Sequence, residues 1–229
     1  MRYLSTYAIL LAAMMVIISC EQEDEILNDP GLDYFDISER SYIDYQVDSI
    51  FHDVPAGVQD TFSFQVRELI DTTFFDGEGR PTARLERYYR DDDSSAWVLR
   101  DVWVANRTST RGEKVEENVR FVKMSFPVRQ GEVWDGNAFN TLEEWEYTYS
   151  EVDVPNTISD IDYERTARII QRDRSNLIES EYAEEVYAYG IGMVYKRIDT
   201  LKFSFEGGIS QLSTGVELQM RAIDFGTLE

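Results

Sequence analysis

Thr61-Phe62-Ser63-Phe64-Gln65-Val66-Arg67, read TFSFQVR, alternates polar and apolar residues without a break. A period of two puts Phe62, Phe64 and Val66 on one side of an extended strand and the polar residues on the other. Helical spacing would scatter the same three apolar side chains around an axis. The pattern recurs on both sides of this stretch. Tyr45, Val47 and Ser49 share one side of 42–50. The segment DTTFFDGEGRPTARLERYYR, 71–90, reads as two strands around Asp76-Gly77-Glu78-Gly79, whose glycines supply positive φ. Asp91-Asp92-Asp93-Ser94 reads as an exposed turn. Trp97 to Ala105 has apolar residues at 97, 99, 102 and 104, with a break of phase at Asp101.

Further along, Arg111-Gly112-Glu113 reads as a turn before a strand over 115–128. Turns follow around Gly131 and Asp135-Gly136-Asn137, and aromatic alternation returns at Trp145, Tyr147 and Tyr149. A strand is predicted near 165–172. Glu179 to Ala188 reads as a short helix stopped by Gly190. The segment 190–208 reads as a two-stranded hairpin, and Val216, Leu218, Met220 and Ala222 form the last alternation. About ten strands with one or two short helices predict a mainly β fold. An antiparallel sandwich, a barrel or a strongly curled sheet would each satisfy the pattern.

The N-terminus differs in kind. One Arg precedes an apolar run from Tyr7 to Ile18, and Ser19 closes it. That is the layout of a cleavable secretory signal over 1–19. The run is too short for a membrane helix, which takes about 20 residues. Ile17-Ile18-Ser19-Cys20 resembles the lipobox of bacterial lipoproteins. The resemblance implies cleavage before Cys20, a diacylglycerol on its sulfur, and an acyl chain such as palmitate on the new amino terminus. Each buried acyl CH₂ contributes about 0.8 kcal/mol, so two or three chains hold a protein firmly. Glu21, Gln22, Glu23, Asp24 and Glu25 follow. Such an acidic run resembles the surface-export signal of Bacteroidetes lipoproteins, and it would serve equally as a solvated tether facing the periplasm. The expected organisation is a signal peptide over 1–19, an acidic tether over 20–32 and a single β-rich domain over 33–229. The expected location is the outer membrane, facing the cell exterior.

Charge bounds the partners. The 229-residue chain carries −22, and loss of the one Arg in the leader would leave −23. Such a chain does not track phosphates, and nucleic acid is excluded as a partner. Cys20 is the only cysteine, so a lipidated protein has no disulfide or thiolate chemistry left. His52 is the only histidine, and its place between Phe51 and Asp53 at a strand end reads as an ordinary surface residue. No G-x-S-x-G, S-x-x-K, H-E-x-x-H or P-loop spacing occurs. Pairs such as Glu143/Glu144 and Asp160/Asp162 are what 44 acids produce by chance. Asp91-Asp92-Asp93-Ser94 and the segment 159–164 have oxygen ligands for calcium but not its loop spacing, so solvated turns are expected. No cofactor is implied, and a non-enzymatic domain is predicted.

Trp134, beside Asp135-Gly136-Asn137, is the best candidate for a displayed aromatic. Trp134, Asp135 and Asn137 are therefore the candidate ligand-binding set, with closure of one end of the core as the alternative. Ser49, Thr72 and Thr200 stand in D-[ST]-x triplets that match the acceptor pattern of Bacteroidetes protein O-glycosylation.

Several blocks resemble a family of Bacteroidetes cell-envelope lipoproteins. They are YQVDSI (45–50), LERYYR (85–90), NVRFVKMSFPV (118–128), WDGNAFN (134–140) and EVYAYGIGMVYK (185–196). Where the family often has Phe-Pro before its first strand, this chain has Phe35-Asp36-Ile37. The resemblance implies an envelope address and a β fold, and brings no activity or catalytic residue with it. The expectation is an anchored module that binds an envelope protein or glycan, or serves structure. The alternatives are a carrier of lipid or another apolar ligand in a curled groove, and a glycan-cleaving surface protein.

Overall fold

In the computed structural model the described residues are 29–228, with the side chain of Glu206 left aside. Cys20, the signal segment 1–19 and the acidic residues 21–25 lie outside them. The unit described below runs from Gly31.

Twelve strands follow one another in antiparallel succession. They are β1 (Ser41–Asp53), β2 (Val58–Phe75), β3 (Pro81–Arg90), β4 (Val98–Arg107), β5 (Arg111–Glu116) and β6 (Val119–Ser125). Then come β7 (Val133–Asp135), β8 (Glu146–Ile158), β9 (Ile161–Ser175), β10 (Glu179–Ala188), β11 (Gly192–Glu206) and β12 (Ile209–Thr227). They form one sheet in the order β6-β5-β4-β3-β2-β1-β12-β11-β10-β9-β8-β7. The first and last strands meet in the middle, where Ser41 pairs with Thr227 and Asp53 with Thr214. The two outer edges also find each other. Val122 N on β6 donates to Gly136 O just past β7 at 2.9 Å, and Trp134 Nε1 donates to Val122 O at 2.9 Å. The sheet is thereby a nearly closed barrel with a seam between β6 and β7.

The opening alternation explains the wall. Phe62, Phe64 and Val66 pair across the ladder with Ser49, Val47 and Tyr45, and these with Leu218, Met220 and Ala222. All of them face inward. Buried Leu85, Ala105, Met124, Tyr147, Tyr149, Ile169 and Tyr187 continue that face around the barrel. Outward positions carry cross-strand ion pairs. Arg67 grips Asp44 with two hydrogen bonds of 2.6 and 2.7 Å, Arg168 bridges Glu151 and Glu184, and Arg172 pairs with Glu181. A wall so charged suits water and not acyl chains, which require an apolar outer band.

One end is closed by the chain before β1. A single 3-10 turn, Leu32–Tyr34, is the only helical element among the described residues. Tyr34, Phe35 and Ile37 are buried there. Phe35 lies so close over Gly112 that a Cβ at that glycine would meet its ring at 2.7 Å. Leu32 also packs on the core, inside the span read as tether.

Four sequence readings need correction. Glu179–Ala188 is strand β10, not a helix. Its acids, which look like a helix surface, answer arginines on neighbouring β9 or lysines inside the barrel. Arg111-Gly112-Glu113 opens β5 instead of forming a turn; the reversals are at 108–110 and at Glu117–Asn118, two residues with φ of 48° and 65°. The segment 190–208 holds a single long strand, β11 (Gly192–Glu206), between a turn at Gly190-Ile191 and the Gly207-Gly208 turn to β12. The strands number twelve where about ten were read.

Candidate functional site at the open end of the barrel

The ligand-binding set read from the sequence is brought together, and its polar atoms are engaged within the protein. Trp134 lies tilted by 43° against Tyr149 with ring centroids 4.6 Å apart and meets Tyr147 edge-on at 5.9 Å. Asp135 Oδ1 accepts from Asn137 N at 2.8 Å and Trp145 N at 3.0 Å. Buried Asn137 donates to Glu143 O at 2.6 Å. The three residues clasp the seam between β6 and β7. His52 is buried rather than superficial, and its Nε2 lies 2.8 Å from Glu217 Oε1 across the β1–β12 ladder. Ser49, Thr72 and Thr200 fall in β1, β2 and β11. Thr72 and Thr200 are exposed, whereas Ser49 is half-buried opposite Phe62 and Leu218. The 91–94 turn is exposed, with Asp92 accepting from Ser94 N at 2.9 Å.

Sequence reading missed a network of charges inside the barrel. Lys123 Nζ on β6 lies 3.0 Å from Glu116 and 3.2 Å from Glu185 on β10. Lys196 reaches the same Glu185 at 3.0 Å, and Tyr187 Oη donates to it at 2.7 Å. Nearby, Glu68 holds Lys114 at 3.0 Å and Arg87 at 3.2 Å. Burial alone would push the Glu116 carboxyl up. The Lys123, Lys196 and Lys114 ammonium groups outweigh it and hold Glu116 down to about 2. Glu185 is likewise held well below the usual carboxylate range, with burial opposing and Lys123 and Lys196 prevailing. Burial disfavours charge on Lys123 too, but Glu116 and Glu185 raise its affinity for the proton well above that of a free lysine. The signal was available: Lys196 stands between Val194 and Ile198 at the period of an inward-facing strand. These groups fill the lumen. The cavity beside Glu68, Lys114 and Tyr45 holds only about 40 Å³.

The free space is at the other end. Two hairpins, β1–β2 and β11–β12, overrun their neighbours. β3 pairs with β2 only from Gln65, opposite Arg90, so Val58–Phe64 have β1 on one side and no strand on the other. β10 reaches β11 only as far as Lys202. The overrun keeps its inward face, which is open and carries apolar side chains among polar ones such as Asp60 and Thr200. Phe51 is 39 % exposed, Phe62 53 % and Val216 38 %. Where β3 stops, a notch of about 740 Å³ opens, lined by Phe62, Phe64, Tyr89, Ser95, Val98 and Arg100 among others. Phe64 stacks on Tyr89 at 5.9 Å to form its apolar floor. Arg90 at its edge is occupied by Gln65 and Asp93, at 2.6 and 2.7 Å.

No family model matches this sequence, and no curated protein or solved structure shows a significant match to it. The functional reading rests on the chain's own geometry.

Proposed function

We propose that the protein is a lipid-anchored envelope module that binds a partner at the open end of its barrel, without catalysing a reaction. The observation that carries this reading is the exposed inner face of the overrunning hairpins. Phe51 pairs with Val216, and Phe62, opposite Ser49, lies diagonal to Phe51; an exposed apolar group of this kind marks a contact site. The filled lumen supports a surface site over an interior carrier. Clefts for small ligands run to about 300–1,000 Å³, far above the 40 Å³ beside the ion network. The lipobox supports anchorage at Cys20.

The test uses the full chain in cells. A photo-crosslinking residue at Phe62 is expected to trap a discrete partner, and the same residue at outward-facing Gln46 is expected to trap none. Equal adducts at both positions, or turnover of a polysaccharide abolished by changing one buried acid, would sink the reading. Cys20→Ser is expected to leave the membrane fraction or remain unprocessed; normal processing with membrane retention refutes the anchor.

A further inference from the structure

Resting on that binding reading, we infer that the partner presents an extended, net-positive peptide, which joins the sheet as an added strand alongside Val58–Phe64. This stretch is a free sheet edge, as are 98–103 on β4 and 150–158 on β8, and it borders the notch over 61–64. The outer strands β6 and β7 are clasped to each other. At β2, by contrast, the ladder to β3 ends at Gln65 and the backbone beyond it faces the notch. Natural proteins blunt such edges with Pro, Lys, a bulge or an inward-pointing charge, and Asp60 is the one such device here. Val58-Gln59-Asp60-Thr61-Phe62-Ser63-Phe64 has no Pro and no Lys, and its pairing with β1 runs without a shift. An incoming strand lying about 4.8 Å from β2 would occupy the lane that β3 vacates.

The side chains around that lane define the occupant. Val58, Asp60, Phe62 and Phe64 share the inward parity of β2. Apolar residues at alternate positions of the guest would meet Phe62 and Phe64, with Tyr89 and Val98 as the floor. Further along, the guest would meet Asp60. Asp60 and Asp91 stand at the rim outside the ion pairs, while Arg90 is already held by Asp93. Arg100 on the lining offsets one of these two acids, leaving one negative charge around the notch, while the whole chain carries −22. A basic guest gains attraction from both. A second copy of this chain would bring another −22 to the same edge, so self-pairing is disfavoured. Main-chain hydrogen bonds would supply adhesion, and the alternate pockets would supply choice of sequence.

The experiment uses the full-length protein in detergent and a fluorescent ten-residue peptide alternating valine with lysine and threonine. Two companions share its length: one with glutamate for lysine, and one N-methylated at alternate residues to remove the hydrogen-bond donors of one edge. The lysine peptide is expected to bind, with salt weakening it, and each companion is expected to bind at least about tenfold less tightly. Hydrogen exchange is expected to slow at alternate amides of 58–64 and not on β9, which has β8 and β10 on its two sides. Phe62→Lys and Asp60→Lys are each expected to reduce binding at least about tenfold. Equal binding of the N-methylated peptide, or no change in exchange at 58–64, overturns strand addition. Sedimentation showing a dimer that Phe62→Lys disperses would make a second copy the occupant and overturn the basic peptide. A Phe62 crosslink in cells combined with failure of all three peptides would leave the binding module standing and remove only this inference.

Discussion

Lys123 is buried inside the barrel, and its charge is answered by Glu116 and Glu185. Removing one partner from a buried ion pair leaves an uncompensated charge, which costs about 3–5 kcal/mol. Lys123→Met is therefore expected to lower the unfolding free energy by that amount, read from urea midpoints, even though Met fills much the same space. The same groups set a pH dependence. Glu116 is held at about 2, below its ordinary value of 4.5, so its contribution is complete above pH 4.5 and fades as pH falls towards 2. Lys123 is raised above its ordinary 10.5, so its contribution is complete below that value and fades above it. Urea midpoints are expected to hold steady between about pH 5 and 10 and to drop outside that window. A midpoint unchanged at pH 3 would mean the network is hydrated. Gly136 is constrained differently: a Cβ there would meet the Tyr147 ring at 2.3 Å. Gly136→Ala is expected to destabilise by about 1–3 kcal/mol and to speed exchange of the Val122 amide at the seam.

At the level of strands, the alternation of Phe62, Phe64 and Val66 was sufficient to read a sheet, because inward and outward residues there differ sharply in polarity. β10 was misread because Glu181, Glu184 and Glu185 are polar whichever way they point. Only the arginines of β9 and the lysines of β6 and β11, remote in sequence, make a strand of them. The open end was illegible for a related reason. Its free edge depends on where β3 stops relative to β2, and strand endings carry no hydrophobic signal. The β8–β9 turn shows how local chemistry fixes a hairpin. Ser159 and Asp160 both adopt positive φ, 52° and 65°, the geometry of a two-residue hairpin turn that favours Asn-Gly. Asp160→Gly is expected to leave the protein as stable or up to about 1 kcal/mol more stable. A loss in thermal unfolding would show that the Asp160 side chain has a role of its own.

Across the whole molecule, closure makes the barrel behave as one body, since a sheet whose edges are joined has few places to begin fraying. Asn137 and Asn140 are the rivets: Asn140 Nδ2 donates to Arg120 O on β6 at 2.8 Å and to Asn137 Oδ1 at 2.9 Å. Asn140→Ala is expected to loosen β6 and β7 locally by about 1 kcal/mol, seen as faster exchange there with the midpoint of global unfolding shifted little. Uniformly faster exchange around all twelve strands would show that the seam governs the entire wall.

The central pairing of β1 with β12 has a mechanical corollary. The two strands are antiparallel, and Ser41 and Thr227 leave the sheet side by side. A pull applied between those points loads the Ser41–Thr227 pair first, then Tyr42–Gly226, then Ile43–Phe225. Rungs that bear load in turn give way at low force, unlike rungs sheared together. The barrel thus has a soft axis between its two chain ends, and tugging there would peel it open like a zip along the line opposite its seam.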